Sequence, residues 1–267
     1  MNLLSGTPFW LVKNGIAAPR PPLRTSERCD VAVIGAGVTG ALVADALTSA
    51  GLDVVVLERR ESGIGSTAAS TALIQYEIDL ELVALREKLG ASHVDAQHAV
   101  CATGYDLPDF LPLGRVTLHS TYALATERLT HFGPWDDRCL VWESARPYAY
   151  MRTTDDRRII IGGEDVPFRD AAWRDRLLPT KTKKLEGRLR HLVPTLETET
   201  AFEWAGTFAE TPDGLPYIGC DARYAGMLFA LGYGGNGITF SVIAAELITA
   251  ECQGRAAPDA DVFSMDR

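Results

Sequence analysis

Residues 30–58 constrain this chain more than any other stretch. Residues 30–35 (DVAVIG) form an unbroken apolar run, the pattern of a strand buried on both faces of a parallel sheet. The run leads directly into Gly35-Ala36-Gly37-Val38-Thr39-Gly40. Helical spacing follows from Thr39 to Ala50, with Leu42, Ala46 and Ser49/Ala50 on one side, and stops at Gly51. Residues 53–58 (DVVVLE) read as a second buried strand, which completes a β-α-β unit. The pattern G-x-G-x-x-G therefore stands where it has mechanical meaning. The first glycine permits the tight turn, the second lets a pyrophosphate approach the backbone, and the third lets helix and strand pack closely. The helix start supplies free N–H groups and the positive end of its dipole. Glu58 closes the second strand, where a carboxylate can accept hydrogen bonds from both ribose hydroxyls of an adenosine and disfavours a 2′-phosphate. A glycine-rich turn can also join strand to helix without any ligand, but strand, helix and acid together favour a bound dinucleotide. This pattern by itself does not choose between NAD and FAD.

The remaining chain alternates in character. Residues 1–28 are punctuated by Pro19, Pro21 and Pro22 and read as a surface arm with Phe9 and Trp10 as docking points. Ile78, Leu82, Leu85 and Leu89 predict a helix over 70–89 ending at Gly90, and residues 98–104 predict another short buried strand. Segments 116–127, 140–144, 148–154 and 157–164 are rich in β-branched and aromatic residues, and Asp155-Asp156 suits a hairpin turn. They predict an antiparallel sheet. A helix over 181–192, a strand over 200–210, an apolar strand ending at Gly232 and a helix over 237–252 complete the pattern.

Composition narrows the function. With 267 residues, 46% of them hydrophobic, a proper core can form. A net charge of −9 with no basic run longer than Lys183-Lys184 argues against nucleic-acid and anionic-membrane partners. The five cysteines are odd in number and dispersed, and the five histidines lack ligand spacing, so neither a disulfide framework nor a metal is expected. The N-terminus lacks a signal-peptide pattern, and the uncharged stretch 224–245 is interrupted by five glycines, so a cytoplasmic, reducing setting is expected. Neither G-x-S-x-G nor a P-loop is present.

Further blocks bear on the cofactor. Residues 65–70 (GSTAAS), 102–104 (ATG), 211–219 (TPDGLPYIG) and 232–237 (GYGGNG) resemble, in order, the flavin-contacting segments of the D-amino-acid oxidase, glycine oxidase and sarcosine oxidase family of FAD-dependent oxidoreductases. The resemblance runs from about Phe9 to Arg267. It implies an α/β fold: a Rossmann-like FAD-binding domain (29–105 and 207–267) interleaved with a reduced antiparallel-sheet substrate domain (106–206), after the 1–28 arm. FAD would be held by Gly35, Gly37, Val38, Thr39 and Gly40, by Glu58 and Arg59, by Gly65, Ser66 and Thr67, by Thr103 and Gly104, and by Gly234, Gly235, Asn236, Gly237 and Ile238. For the Ser66 and Thr67 hydroxyls, helix capping is as good an account as cofactor contact. Asn236 stands where related sequences often carry another polar residue.

Arg152 shares strand parity with Tyr148 and Tyr150. An arginine among aromatics can hold a carboxylate in bidentate fashion, and its position resembles that of the family's carboxylate-binding arginine; a solvated arginine on an exposed sheet face is the competing account. The resemblance implies hydride transfer from the carbon beside an amine to the flavin, imine hydrolysis, and reoxidation by oxygen or another acceptor. Arg152, Tyr148, Tyr150 and Asn236 are the candidate catalytic residues. The sequence departs from the family in one place: only residues 91–97 join the 70–89 helix to the next strand, where the family carries a long segment. Such a loss bares a sheet edge and so predicts self-association. It keeps open a flavin-binding remnant without turnover, and the bare glycine motif keeps open an NAD-dependent dehydrogenase.

Overall fold

The computed structural model describes residues 3–18, 20–72, 94–105, 117–135, 138–144 and 148–267. In chain order the strands are β1 (Leu4–Gly6), β2 (Glu27–Ile34), β3 (Val54–Leu57), β4 (Val94–Cys101), β5 (Thr117–Thr126), β6 (Val141–Trp142), β7 (Ala149–Thr153), β8 (Ile159–Pro167), β9 (Thr200–Glu210), β10 (Tyr217–Cys220) and β11 (Met227–Leu231). The α-helices are α1 (Phe9–Asn14), α2 (Val38–Ser49), α3 (Ser66–Ala69), α4 (Ala171–Leu192) and α5 (Gly237–Cys252). The strands form two sheets, and the fold is α/β.

One sheet has the order β10-β11-β4-β2-β3, with β11, β4, β2 and β3 parallel and β10 antiparallel at the end. Val31, Val33 and Val100 face Val43 and Leu47 of α2 and Phe240, Ala244 and Ile248 of α5. Cys101, Phe229 and Leu231 pack with Tyr217 and Met265 in a second cluster. Burial on both faces is why β2 reads as an uninterrupted apolar run. Helix α2 sits so close to the sheet that a Cβ on Gly40 would stand 1.8 Å from the Gly35 carbonyl oxygen, and Gly35 itself has φ +108°. Among the described residues the sheet ends at β3, where Val56 is exposed. The strand expected over 98–104 is β4, which already begins at Val94 and ends at Cys101, so residues 94–97, expected as a connection, belong to the strand and pair with β2.

The other sheet has the order β1-β9-β5-β8-β7-β6 and is antiparallel throughout. Its back face, including Tyr122, Leu124, Met151, Ile159 and Ile161, is covered by Leu178, Leu185 and Leu189 of α4. Its front face, including Ala123, Ala125, Ile160 and Trp204, turns towards Phe9 and Ala69. A bulge interrupts β8. Gly163 adopts φ +130°, where a Cβ would meet the Tyr148 carbonyl oxygen at 2.2 Å, and Glu164 follows at φ +59°. The Glu164 carboxylate is pinned from α4 by Lys181 Nζ at 3.3 Å, Lys184 Nζ at 3.4 Å and Arg188 Nη2 at 2.8 Å. Burial alone would raise its pKa, but the bonds and charges of Arg188 and Lys181 hold it below the usual carboxylate range.

Several sequence expectations are corrected. The 1–28 arm is more than a surface strap, since β1 adds to the antiparallel sheet beside β9 and β2 already begins at Glu27. Residues 207–210, expected with the FAD-binding part, belong to β9 of the antiparallel sheet. Helix α4 starts ten residues before the predicted 181: the Asp170 carboxylate accepts from Trp173 N, and the helix runs through Pro179. A proline in a helix interior removes a backbone bond, which is why the sequence argued for a later start. The helix expected over 70–89 lies almost wholly outside the described residues.

The Gly40 contact gives a first test. Gly40→Ala is expected to cost about 1–3 kcal/mol, as overpacking does, and urea unfolding of both proteins measures it.

Candidate functional site

Four separate sequence blocks converge at the carboxyl ends of β2 and β4. At the glycine turn, Ala36 N donates to Glu58 Oε2 at 2.8 Å, and Arg60 N donates to Glu58 Oε1 at 3.0 Å. The exposed carboxylate thus stays at the turn, with lone pairs remaining for further donors. Arg59 follows it on the surface. Val38 N, at the start of α2, donates to Thr67 Oγ1 at 2.9 Å. Thr67 is therefore no cap of its own helix; it accepts from the neighbouring one and keeps its hydroxyl proton to donate. A Cβ on Gly37 would come 3.2 Å from the same Oγ1, so the glycine keeps the turn open beside it. Ser66 does not cap α3 either. Gly65 occupies that place, and the Ser66 Oγ is buried without a hydrogen-bond partner among the described residues.

The third block touches the first. A Cβ on Gly35 would meet the Ala102 carbonyl oxygen at 2.5 Å and Thr103 Cα at 3.4 Å, while Gly65 and Gly104 both border open space. The fourth arrives from the far end of the chain. Thr39 Oγ1 lies 2.7 Å from Ser241 Oγ, joining α2 to α5, and the Tyr105 hydroxyl donates to the Gly234 carbonyl. Gly234–Asn236 forms a 3₁₀ turn leading into Gly237 and Ile238 at the start of α5. Asn236 is buried there, and its Oδ1 has no partner among the described residues.

The antiparallel sheet meets this region through β7. Tyr148 and Tyr150 lie on one face with ring centroids 5.7 Å apart. The Tyr148 hydroxyl lies 3.9 Å from where a Cβ on Gly235 would be. Gly162 makes room for Tyr150, since a Cβ there would stand 2.6 Å from its ring. Burial pushes the Tyr150 phenol well above its ordinary pKa, aided by the Asp165 charge and opposed by hydrogen bonds with Thr121 and Thr71. Arg152 is half-buried. Its Nη1 donates to the Ala72 carbonyl and its Nε donates to the Thr153 carbonyl at 3.2 Å. Among the described residues no carboxylate pairs with it.

The short segment 66–72 is the meeting point. Trp204 Nε1 donates to the Ala69 carbonyl at 2.8 Å, Trp10 Nε1 donates to the Ser70 carbonyl at 2.8 Å, and Arg152 takes Ala72. Sequence reasoning placed Trp10 only as a docking point and did not single out Trp204, Tyr105 or Thr71. The aromatic residues of the arm were the one usable signal.

A family model described as FAD dependent oxidoreductase (DAO) matches residues 30–89 and 78–251. The chain belongs to this family. Its cofactor is FAD, which answers the question left open by the glycine motif alone. The glycine oxidase of Geobacillus kaustophilus is 30% identical over 105 residues, 39% of this chain and 27% of that relative. The chain thus matches about a quarter of that relative's length, and it is short for its family. The solved structure of a glycine oxidase from the same organism superposes with a TM-score of 0.68 at 17% identity, covering 90% of this chain and 99% of that one. An L-amino acid deaminase from Proteus vulgaris gives 0.68 at 12% identity, with 94% and 99% covered. These likenesses show the fold. Among the described residues no helix is long and apolar enough to cross a membrane.

FAD fits the residues present. The Gly35-to-Gly40 cradle would be closed by side chains, the Glu58 carboxylate and the Thr67 hydroxyl retain bonding capacity, and buried polar atoms of Ser66 and Asn236 await partners.

The 211–219 block is held by its own turn and by the C-terminus. Asp213 Oδ1 accepts from Thr211 Oγ1 at 2.7 Å and Leu215 N at 3.1 Å, and Arg267 Nε donates to Oδ2 at 2.7 Å. Partial burial would raise the Asp213 carboxyl, but bonds from Arg267 and Thr211 outweigh it and lower the pKa to about 2. A depressed carboxylate stabilises the fold above its unfolded value and loses that contribution as pH falls through the folded value. The stability difference between wild type and Arg267→Ala should therefore be full at neutral pH and shrink between pH 4 and about 2. Thermal melts followed by circular dichroism across that range check it.

Proposed function

We propose that the chain is an FAD-dependent oxidoreductase that oxidises the C–N bond of a small amino acid or amine, with oxygen or another acceptor taking the electrons. Arg152 carries this reading. A half-buried guanidinium whose hydrogen bonds among the described residues go to backbone carbonyls, on a strand face shared with Tyr148 and Tyr150, offers its remaining donor capacity to a carboxylate. The relatives named glycine oxidase and D-amino acid dehydrogenase support the same substrate class.

The roles follow from the chemistry of each group. Gly35, Gly37, Val38, Thr39 and Gly40 give the backbone cradle for the diphosphate, Glu58 accepts from ribose, and Ser66 and Thr67 supply hydroxyl donors. Thr103, Gly104 and the 234–238 turn complete the wall. Bound there, FAD supplies the hydride acceptor that no side chain can replace. Helix α5 has 16 residues, and its N-terminal groups at Gly237 and Ile238 favour negative charge beside the turn. Asn236 Oδ1 can accept from an amine or an N–H donor. Tyr150, like any phenol, is protonated through the neutral range, and burial raises it further, so it positions the substrate and does not act as a base. Orientation by Arg152, Tyr148 and Tyr150 is what the chain adds to the reaction.

The few residues between the 70–89 segment and β4, which begins at Val94 where the family carries a long segment, sustain a second reading, a flavin-binding remnant without turnover. Anaerobic titration of the purified, FAD-loaded protein with glycine, sarcosine, proline and D-alanine separates the two. Bleaching of the yellow band is expected; a band that persists with every substrate favours the remnant, and a colourless protein that rejects FAD overturns both. Arg152→Met is expected to raise KM about 10–100-fold, the equivalent of losing a hydrogen bond to a charged partner. Glu58→Gln is expected to weaken FAD binding about tenfold or more for the same reason, read by quenching of flavin fluorescence.

A further inference from the structure

The N-terminal arm lies beyond the roles assigned above, yet it reaches the same arginine. β1 pairs with β9, Leu4 opposite Gly206 and Gly6 opposite Trp204. That pairing delivers α1 to the front face, where Phe9 is 2% exposed among Ala123, Ala125, Ile160 and Trp204. Trp10 beside it is half-buried, and its ring centroid lies 6.0 Å from the Arg152 guanidinium carbon. Trp10 donates to the carbonyl of Ser70 and Arg152 to that of Ala72, so both hold one stretch of backbone. Lys13 ties the arm to the β7–β8 hairpin through Asp155 and Asp156.

With the guanidinium held in place by the Ala72 and Thr153 carbonyls, the indole beside it keeps water from one side. It also presents apolar surface to anything bound beside the cation, the combination of one charge and one hydrophobic wall that defines a small-molecule pocket. We propose that Trp10 is a specificity-determining wall of the substrate pocket. An acid whose carboxylate pairs with Arg152 lays its apolar side chain against the Trp10 indole, so the arm selects carboxylates with apolar or aromatic groups over bare ones. The proposal rests on the reading that Arg152 takes a carboxylate.

Equilibrium binding tests it without turnover. Acetate and benzoate are titrated by calorimetry into FAD-saturated wild type, Trp10→Ala, Trp10→Leu and Arg152→Met. Wild type is expected to prefer benzoate. Trp10→Ala is expected to lose about tenfold of that preference, the size of an aromatic contact, with acetate binding kept within about twofold. An unchanged benzoate-to-acetate ratio, or equal weakening of both ligands, overturns the proposal, because a merely structural indole would not discriminate. Should Trp10→Ala fail to fold by circular dichroism, Trp10→Leu decides, with an expected loss of about threefold. If wild type binds neither ligand, or Arg152→Met binds both normally, the carboxylate role of Arg152 falls and this inference with it. A lost Trp10 preference alongside Arg152-dependent binding supports both.

Discussion

Three donors from distant parts of the chain, the indoles of Trp10 and Trp204 and the guanidinium of Arg152, end on the carbonyls of Ser70, Ala69 and Ala72. Helix α3 has only four residues, too few to satisfy its own carbonyls, and a buried carbonyl without a partner is costly. The antiparallel sheet and the arm meet that need. At the other end of the same segment Thr67 accepts from the first turn of α2. The glycine turn, the 66–72 segment and β7 are thereby set against one another through a few bonds. A shift of this segment would move the glycine turn and the Arg152 guanidinium together.

The parallel half was largely legible in the sequence. A strand buried on both faces has no polar interruption, and Gly35, Gly40 and Gly51 mark turns where a Cβ or a negative φ would not serve, so residues 30–58 announce their own geometry. Helix α5 begins and ends where its glycine turn and apolar content predict, at Gly237 and Cys252. The start of α4 was not legible, because Pro179 argues against a helix locally and the burial of Arg174 and Lys181 becomes evident only when the sheet is beneath them. β1 is three residues long and owes its form to β9, some two hundred positions away. Of the candidate site, the glycine turn and its acid stand out in the sequence because glycine and acid at fixed spacing carry a mechanism. The couplings Trp10–Ser70, Tyr105–Gly234 and Arg152–Ala72 join residues far apart in sequence, and no periodicity encodes such pairs.

The two faces of the antiparallel sheet divide the work. The front supplies Tyr148, Tyr150 and Arg152, while the back is fixed by leucines and by the cations that α4 places around Glu164. The bulge at Gly162, Gly163 and Glu164 links them: its glycines admit the Tyr150 ring and the Tyr148 carbonyl on one side, and its carboxylate anchors on the other. The net negative charge of the chain is thus unevenly spent, with basic side chains concentrated where one buried acid must be neutralised.

The pairing of β1 with β9 also orders events in time. Residues 4–6 find their partner only after residues 204–206 have followed them, and loop closure over that separation is slow. Until then Phe9 and Trp10 are exposed on an unanchored arm, and the edge of β9 has no neighbour on that side. Completing the antiparallel sheet therefore requires closing a loop of some two hundred residues, and the surroundings of Arg152 acquire their final shape only once β1 and β9 have paired.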